Sequence, residues 1–334
     1  LEKKAVFIDL FAAETGFALS EILYLLDGKL RPFIRERITY ELHRRIIHSF
    51  ESENCGWETS DNNWSAVCAG SVAAAFMYTA PERFDNVKHR IESAMACFLS
   101  GYGDDGVCRE GLSYWTYGFG FFVYYAQLLR EFTQGKINLF ENEKVKAIAK
   151  FQQRAFLQEG VILSFADTNT DRNIYSKGLT FFLKEIYGNE ITIPPESCAD
   201  TLDSDNCHRW ATFIRSLTWG VASKNHGNIE KETVYFKNAQ IFIAKKDGFS
   251  FAAKCGSNDE PHNHNDIGNF VFVQDHKQIF CDIGMGEYTK EYFSADTRYD
   301  LLVNSSRGHS VPIINGLYQK EGNKFCGSVL SVDE

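Results

Sequence analysis

No two of the nine cysteines (Cys55, Cys68, Cys97, Cys108, Cys198, Cys207, Cys255, Cys281 and Cys326) stand in a C-x-x-C pair, and zinc-finger spacing is absent. Their odd number, and the apolar helix-like runs that hold several of them, argue for free buried thiols rather than a disulfide framework. A reducing, cytoplasmic location is the expectation. The chain opens on Leu1 without a signal-like start, and removal of a leader would make it periplasmic or secreted. No apolar run reaches the length of a membrane span; the longest, Phe119 to Leu129, is short and carries Gln127. No basic run with interleaved aromatics occurs, and the net charge is −9, which excludes a nucleic-acid surface. An acidic balance does not favour an anionic ligand either, so such a ligand needs a locally positive site. Internal repeats and low-complexity segments are missing.

What is present suits a large globular chain. Its 334 residues allow two domains and a substantial core. Hydrophobic residues at 44% and charged residues at 24% are ordinary for a soluble protein, whereas aromatics are abundant, with 28 Phe and 15 Tyr. Most of these rings serve packing; some suit a cleft that stacks on sugars.

Residues 1 to about 190 read as helices, in the segments Lys3–Leu26, Arg31–Phe50, Asn63–Tyr78, Pro81–Leu99, Gly111–Thr133, Asn142–Leu157 and Leu179–Tyr187. Pro32 fits a first-turn position. Tyr114 to Leu129 is apolar nearly all round, which marks a helix buried on every side. Brief polar turns join these helices into αα-hairpins, and an all-round buried member fits a closed two-ring toroid. From about residue 190 the texture changes to a Pro-, Ser-, Asp- and Asn-rich loop, then a helix at His208–Leu217. Strand-like runs follow at 233–236, 240–244, 249–253, 270–273 and 278–280, and Asp247-Gly248 between two of them signals a hairpin. The expected organisation is α+β: a helical domain over 1–225 and an antiparallel sheet domain over 226–334, the latter incomplete at its C-terminus.

Three patches stand apart from packing. Asp61-Asn62-Asn63-Trp64 opens a helix, where Asn is a natural cap; two amides and an indole there also suit a ligand. Glu110-Gly111-Leu112-Ser113-Tyr114-Trp115-Thr116-Tyr117 puts two phenols three residues apart, either as aromatic core or at a loop-to-helix junction facing a ligand. The third is Pro261-His262-Asn263-His264-Asn265-Asp266, followed by Asp282, Arg298-Tyr299 and His309. H-x-H at a strand entry would turn both imidazoles to one side, although a polar turn with two incidental histidines has the same spelling. Imidazole, carboxylate and imidazole form a common zinc set, leaving another group for proton chemistry.

These stretches resemble the heparinase II/III-like polysaccharide lyases. The residues that carry the resemblance are Asn62-Asn63-Trp64, Glu110-Gly111-Leu112-Ser113-Tyr114, Phe165-Ala166-Asp167-Thr168, His262 to Phe270, Asp282-Ile283-Gly284 and His309 to Gly316. They run in order from about residue 60 to 320; together they specify the family and not a substrate. The resemblance implies an incomplete (α/α) toroid joined to an antiparallel β-sandwich, with an acidic polysaccharide or oligosaccharide bound in the cleft between them. It implies β-elimination on heparan-, heparin-, chondroitin- or alginate-like chains, by removal of the C5 proton and departure of the oxygen on C4. Asn63, or Asn62, then neutralises the substrate carboxylate, because charge developing there needs donors aimed in advance. Tyr114 carries a proton, and His262 is a second acid/base or a charge support. An ordinary Tyr titrates near pH 10, so a role as base requires a neighbour that lowers it. Trp64, Glu110, Tyr117, Arg298 and Tyr299 line the substrate; Arg298 is a carboxylate or sulfate clamp, or else a surface ion pair. One structural zinc ion would sit on His264, Asp282 and His309, with no organic cofactor. Several relatives carry a His near position 63; this chain has none, which throws the chemistry onto Tyr114 and His262.

Two other classes compete. H-x-H-x-D with later Asp and His is similar to the dinuclear metal hydrolases, but Ile267 stands where that motif needs His. A non-catalytic carbohydrate-binding protein is the other, since fold alone does not give function.

Overall fold

The computed structural model describes residues 7–170, 174–219 and 227–333. They divide into two compact units, one from Leu1–Gly101, Tyr117–Val145 and Asp205–Thr218, the other from Tyr102–Thr116, Lys146–Ser204 and Trp219–Glu334. The beginning of the expected first helix, Lys3 to Val6, and the expected domain junction near residue 225 lie outside the described residues.

The first unit is helical. Its helices include α1 (Leu10–Leu25), α2 (Pro32–Leu42), α3 (His48–Ser52), α4 (Asn63–Thr79) and α5 (Phe84–Ser100), then Gly120–Phe132 and Trp210–Thr218. Asp9 caps α1 by accepting from the Ala12 amide at 2.8 Å. A π-helical turn, His43–Ile47, joins α2 to α3, so the single helix expected over Arg31–Phe50 is three pieces. The helix enclosed most completely is α4: every residue from Ser65 to Met77 is buried. Its small residues make this possible. A side chain at Gly70 would stand 3.2 Å from the Phe121 carbonyl oxygen, a tight contact, so glycine eases the close approach of α4 to Gly120–Phe132. Gly120–Phe132 is itself buried except around Gln127 and its last residues, in line with its apolar circumference.

A charged group crosses this apolar interior. Arg215 donates to both carboxylate oxygens of Glu21 at 2.7 Å, and the Trp210 indole and the Tyr78 hydroxyl donate to the same carboxylate at 2.8 and 3.2 Å. Four donors leave neither oxygen bare, which is the condition for tolerating a buried ion pair. Replacing Arg215 by Met, which keeps the bulk and strands the carboxylate, should cost about 3–5 kcal/mol in urea unfolding. A loss of under about 1 kcal/mol would place the pair among exposed salt bridges in energetic terms.

The second unit carries the strands: β1 (Phe156–Gln158), β2 (Val161–Ile162), β3 (Thr233–Phe236), β4 (Ile241–Lys246), β5 (Phe249–Lys254), β6 (Ser257–Asn258), β7 (Phe270–Gln274), β8 (Lys277–Phe280) and β9 (Gly322–Cys326). Five form one antiparallel sheet in the order β3-β4-β5-β7-β8. The β4–β5 hairpin turns at Asp247-Gly248, with Lys246 opposite Phe249 and Gly248 at φ 77°. Alternation puts Ile241, Ile243, Ala252, Val271 and Val273 on the buried face. Phe242, Phe251, Phe270 and Phe280 form a ring ladder on the other, with successive centroids 6.4, 6.1 and 5.2 Å apart. Lys245 also points inward. Its ammonium meets the carbonyls of Gln153 at 3.1 Å and Phe156 at 3.4 Å and the Glu232 carboxylate at 3.1 Å, so it caps chain ends that would otherwise be bare. Burial pulls its pKa down, against the opposing pull of Glu232.

The helix expected over Asn142–Leu157 instead ends at Ala155, and β1 pairs with β2 through a turn with Gly160 at φ 72°. All nine cysteines are free, but only Cys68, Cys108 and Cys198 are buried, and Cys207, Cys281 and Cys326 are exposed. No helix of the described residues is long and apolar enough to cross a membrane.

Candidate active site

Five side chains of the second unit converge on one carboxylate, Asp167, which is fully buried. His262 Nδ1 lies 2.6 Å from its Oδ2 and His264 Nε2 lies 2.9 Å from its Oδ1. Tyr288 donates to Oδ2 at 3.0 Å, Tyr292 donates to Oδ1, and Arg298 Nη2 reaches Oδ1 at 3.4 Å. Burial works to raise the Asp167 pKa, but the bonds from His262 and His264 outweigh it and hold the carboxyl well below the usual range. An ionised Asp167 accepts only. It therefore fixes Nδ1–H on His262 and Nε2–H on His264, and it uses the single hydrogen of Tyr288.

That assignment settles the neighbouring bond. Tyr114 and Tyr288 share a hydrogen bond of 2.8 Å between their hydroxyls. The Tyr288 hydrogen is on Asp167, so Tyr114 must donate to Tyr288. The Tyr114 ring stacks on His262, with centroids 4.0 Å apart and planes at 28°. Burial pushes the Tyr114 pKa up, helped by the charges of Asp167 and Glu110 and opposed by the Tyr288 bond. The lowering that a basic phenolate requires is not found; Tyr114 rests as a neutral phenol. Glu110 Oε2 stands 3.5 Å from His262 Nε2.

Local sequence explains how Tyr114 is presented. Gly111 has φ 95°, and a Cβ there would fall 2.2 Å from Thr168 Oγ1. Glycine is thus the residue that fits beside the Asp167 segment. Thr168 Oγ1 accepts from the Leu112 amide at 3.2 Å and donates to the Phe165 carbonyl at 2.9 Å, and Ser113 Oγ accepts from the Asn169 amide at 2.9 Å. The loop-to-helix junction expected before Tyr114 is present, with a short helix at Leu112–Tyr114 and a π-helical turn at Trp115–Phe119.

The histidine stretch departs from the expectation of a strand entry. Residues 261–268 are turns and loop, and His262 has φ 55° in the left-handed region. The two imidazoles converge through this bend rather than through strand alternation. Gln319 holds the bend: it donates to the Ile267 carbonyl at 2.8 Å and accepts from the Ile267 amide at 2.9 Å and from Asn258 at 3.2 Å. Gln319→Ala should cost about 1–3 kcal/mol by leaving these groups bare. Faster hydrogen exchange confined to residues 258–268 would locate the effect; uniform exchange would show that the bend holds itself.

Arg298, expected as a substrate clamp or surface ion pair, is buried and directs its fork inward. Nε and Nη2 donate to the Asn263 carbonyl at 3.2 and 3.0 Å and Nη1 to the Tyr292 carbonyl at 3.1 Å. Tyr299, its neighbour in the 3₁₀ turn Arg298–Asp300, is half-buried.

Asp282 and His309 pair beside this group. His309 Nδ1 lies 2.9 Å from Asp282 Oδ2, and its Nε2 lies 3.0 Å from the Val303 carbonyl. Asp282 Oδ1 accepts from the Gly284 amide at 2.7 Å, and Asn269 donates to Oδ2. Burial would raise Asp282, but His309 outweighs it and the carboxyl is lowered. Burial would likewise lower His309, and the Asp282 bond raises it instead. The His264 and His309 ring centroids are 5.3 Å apart, and His264 Nδ1 is buried with no hydrogen-bond partner among the described residues.

Asn62, Asn63, Trp64 and Tyr117 belong to the first unit. Asn62 caps α4 by accepting from the Trp64 amide at 3.1 Å. Asn63 is buried, with its Cβ 3.0 Å from where a side chain on Gly118 would begin, and Trp64 is 36% exposed. Tyr117 donates to Glu14, and Arg209 lies over its ring at 4.3 Å while also pairing with Glu14 at 3.1 Å.

Asp167 stands in the stretch Phe165–Thr168 that carries the family resemblance, but neither it nor Tyr288 is singled out there as a site residue. Asp167 ends the apolar run Val161-Ile162-Leu163-Ser164-Phe165-Ala166, and an acid inside such a run must be partnered if it is buried. That signal was available. Tyr288, in a loop without periodicity, offered none.

A helical body of the incomplete (α/α) toroid kind, with an antiparallel sheet of the β-sandwich kind, is the fold class of this chain. Among solved structures it is similar to the one described as the crystal structure of heparinase III, at TM-score 0.67 and 14% identity, over 97% of this chain and 49% of that one. The chain thus spans about half the length of the heparinase III chain, and at this identity the likeness is one of fold. No protein-family model matches the sequence, and no curated protein matches it.

Proposed function

We propose that this protein is a polysaccharide lyase that cleaves uronic-acid-containing chains (heparan-, heparin-, chondroitin- or alginate-like) by β-elimination across C4–C5. The observation that carries the reading is the stacked Tyr114–His262 pair backed by one buried carboxylate. Burial keeps Tyr114 a neutral phenol, and the His262 imidazole lies against it. The neutral Tyr114 is the acid. His262, whose Nδ1–H is committed to Asp167, offers Nε2 as the base.

In the reaction His262 Nε2 takes the C5 proton, made acidic by the adjacent carboxylate. The C5–H electron pair becomes the C4=C5 double bond, and the C4–O bond breaks. The leaving oxygen takes the Tyr114 proton as it departs. Transfer of the proton from His262 to the Tyr114 phenolate restores both groups, and no water is consumed. Neutralisation of the substrate carboxylate by Asn63 or Asn62 rests on the family resemblance alone.

The side chains also fit the implied metal. His264 Nδ1 lacks a partner among the described residues while its Nε2 is bound to Asp167, and His309 is oriented by the Val303 carbonyl. Carboxylate- or carbonyl-oriented imidazoles of this kind are those that hold zinc. His264, Asp282 and His309 would hold it, and the ion would supply fixed charge and rigidity to the histidine loop.

Incubation with a panel of uronic-acid polysaccharides, followed by ultraviolet absorbance of the conjugated double bond, tests the function. A rise with at least one polymer is expected. New reducing ends without absorbance would favour a hydrolase, and binding without either product a carbohydrate-binding protein.

A further inference from the structure

The metal donors implied by resemblance are His264, Asp282 and His309, but the donor atoms that lie together are different. Asp266, Asp282 and His309 each offer a ligand atom, and these atoms lie within 4.8 Å of one another. Asp266 is fully buried; its Oδ1 accepts from Lys254 Nζ at 2.7 Å, while its Oδ2 has no hydrogen-bond partner among the described residues. A buried carboxylate oxygen without a donor needs an explanation, and a bound ion is a standard one. His264 Nδ1, also fully buried, lacks a partner in the same way. The charges point in the same direction. Asp266, Glu260 and Asp282 all bear on the buried ammonium of Lys254, so negative charge outnumbers it there.

We propose that Asp266 is a metal ligand, joining Asp282 and His309, with His264 Nδ1 available as a further donor. Two carboxylates and one imidazole give zinc three clustered protein donors, with the fourth position open to His264 Nδ1 or to water. Lys254 has a defined part in this arrangement. It holds Asp266 Oδ1, directs Oδ2 towards the ion, and limits the net negative charge of the pair. The proposal rests on the metal reading of the site and is independent of the elimination chemistry.

The test uses the full chain, stripped with a chelator and titrated with zinc against a chromophoric competitor. The parent is expected to take up one zinc ion, and Asp266→Asn to bind it about tenfold or more weakly, the scale of effect seen when even an outer partner of a metal ligand is removed. Cobalt substituted into the parent should show the strong visible absorption of a four-coordinate site, altered in Asp266→Asn. Equal zinc affinity and an unchanged cobalt spectrum in a folded Asp266→Asn would overturn the assignment of Asp266 and leave the site itself standing. A parent that binds no zinc would overturn both. If Asp266→Asn does not fold, Lys254→Met carries the test: losing the group that orients Asp266 should weaken zinc binding about tenfold or more, and unchanged or tighter binding would count against the ligand role.

Discussion

Replacing Tyr114 by Phe should lower turnover about a thousandfold while leaving substrate affinity nearly unchanged, within the range that general acid catalysis contributes. The change removes one oxygen. The ring remains, and with it the stacking on His262, so binding contacts survive and the loss falls on kcat. Tyr288 loses its hydrogen-bond donor in the variant but keeps its own bond to Asp167. A matching rise in KM would mean that Tyr114 holds substrate rather than moving a proton. Turnover within a few-fold of the parent would remove Tyr114 from the chemistry.

The second large effect is expected at Asp167. An Asn there keeps the shape but presents an amide N–H₂ to groups that are all donors, so His262 loses the partner that sets its tautomer. A comparable exchange in a serine protease triad costs about 10⁴ in turnover, and a loss of 10³- to 10⁴-fold is expected for Asp167→Asn. Asp167→Ala goes further. It removes the carboxylate that Arg298 Nη2 and both histidines share, and should destabilise the second unit by about 3–5 kcal/mol. Acid titration gives the same group a sign. The pKa of Asp167 is lowered by folding, so its contribution is fully present above the unfolded carboxyl value, about 3.9, and is lost as pH falls through the folded value. The gap in stability between parent and Asp167→Ala should therefore close on acidification below about pH 4. A gap that persisted there would show that the charge of Asp167 is not what the cluster depends on.

Local pattern and long-range convergence explain what could be read from the chain. The helices of the first unit, the Asp247-Gly248 hairpin and the alternating strands follow from periodicity and turn chemistry, which act over a few residues. Asn62 was legible as a cap for the same reason. The site was legible only in part. His262 and Tyr114 announced themselves by spacing and by resemblance, but Asp167 lies 95 residues from His262 and 121 from Tyr288 in sequence, and its role exists only once those groups meet. The bend at His262 reads equally as a strand entry or a polar turn, because a left-handed histidine is spelled no differently from an extended one. The same limit applies to Ala155, where an apolar helix passes into the β1–β2 hairpin without a breaker until Gly160.

The most direct measurement is cleavage of a uronic-acid polymer, with mass spectrometry of the fragments. Elimination by Tyr114 and His262 predicts that every cut leaves one fragment whose new non-reducing end is unsaturated and lighter by one water than the hydrolysis product. Fragments whose new non-reducing ends are all saturated would contradict it, because each cut would then have consumed a water.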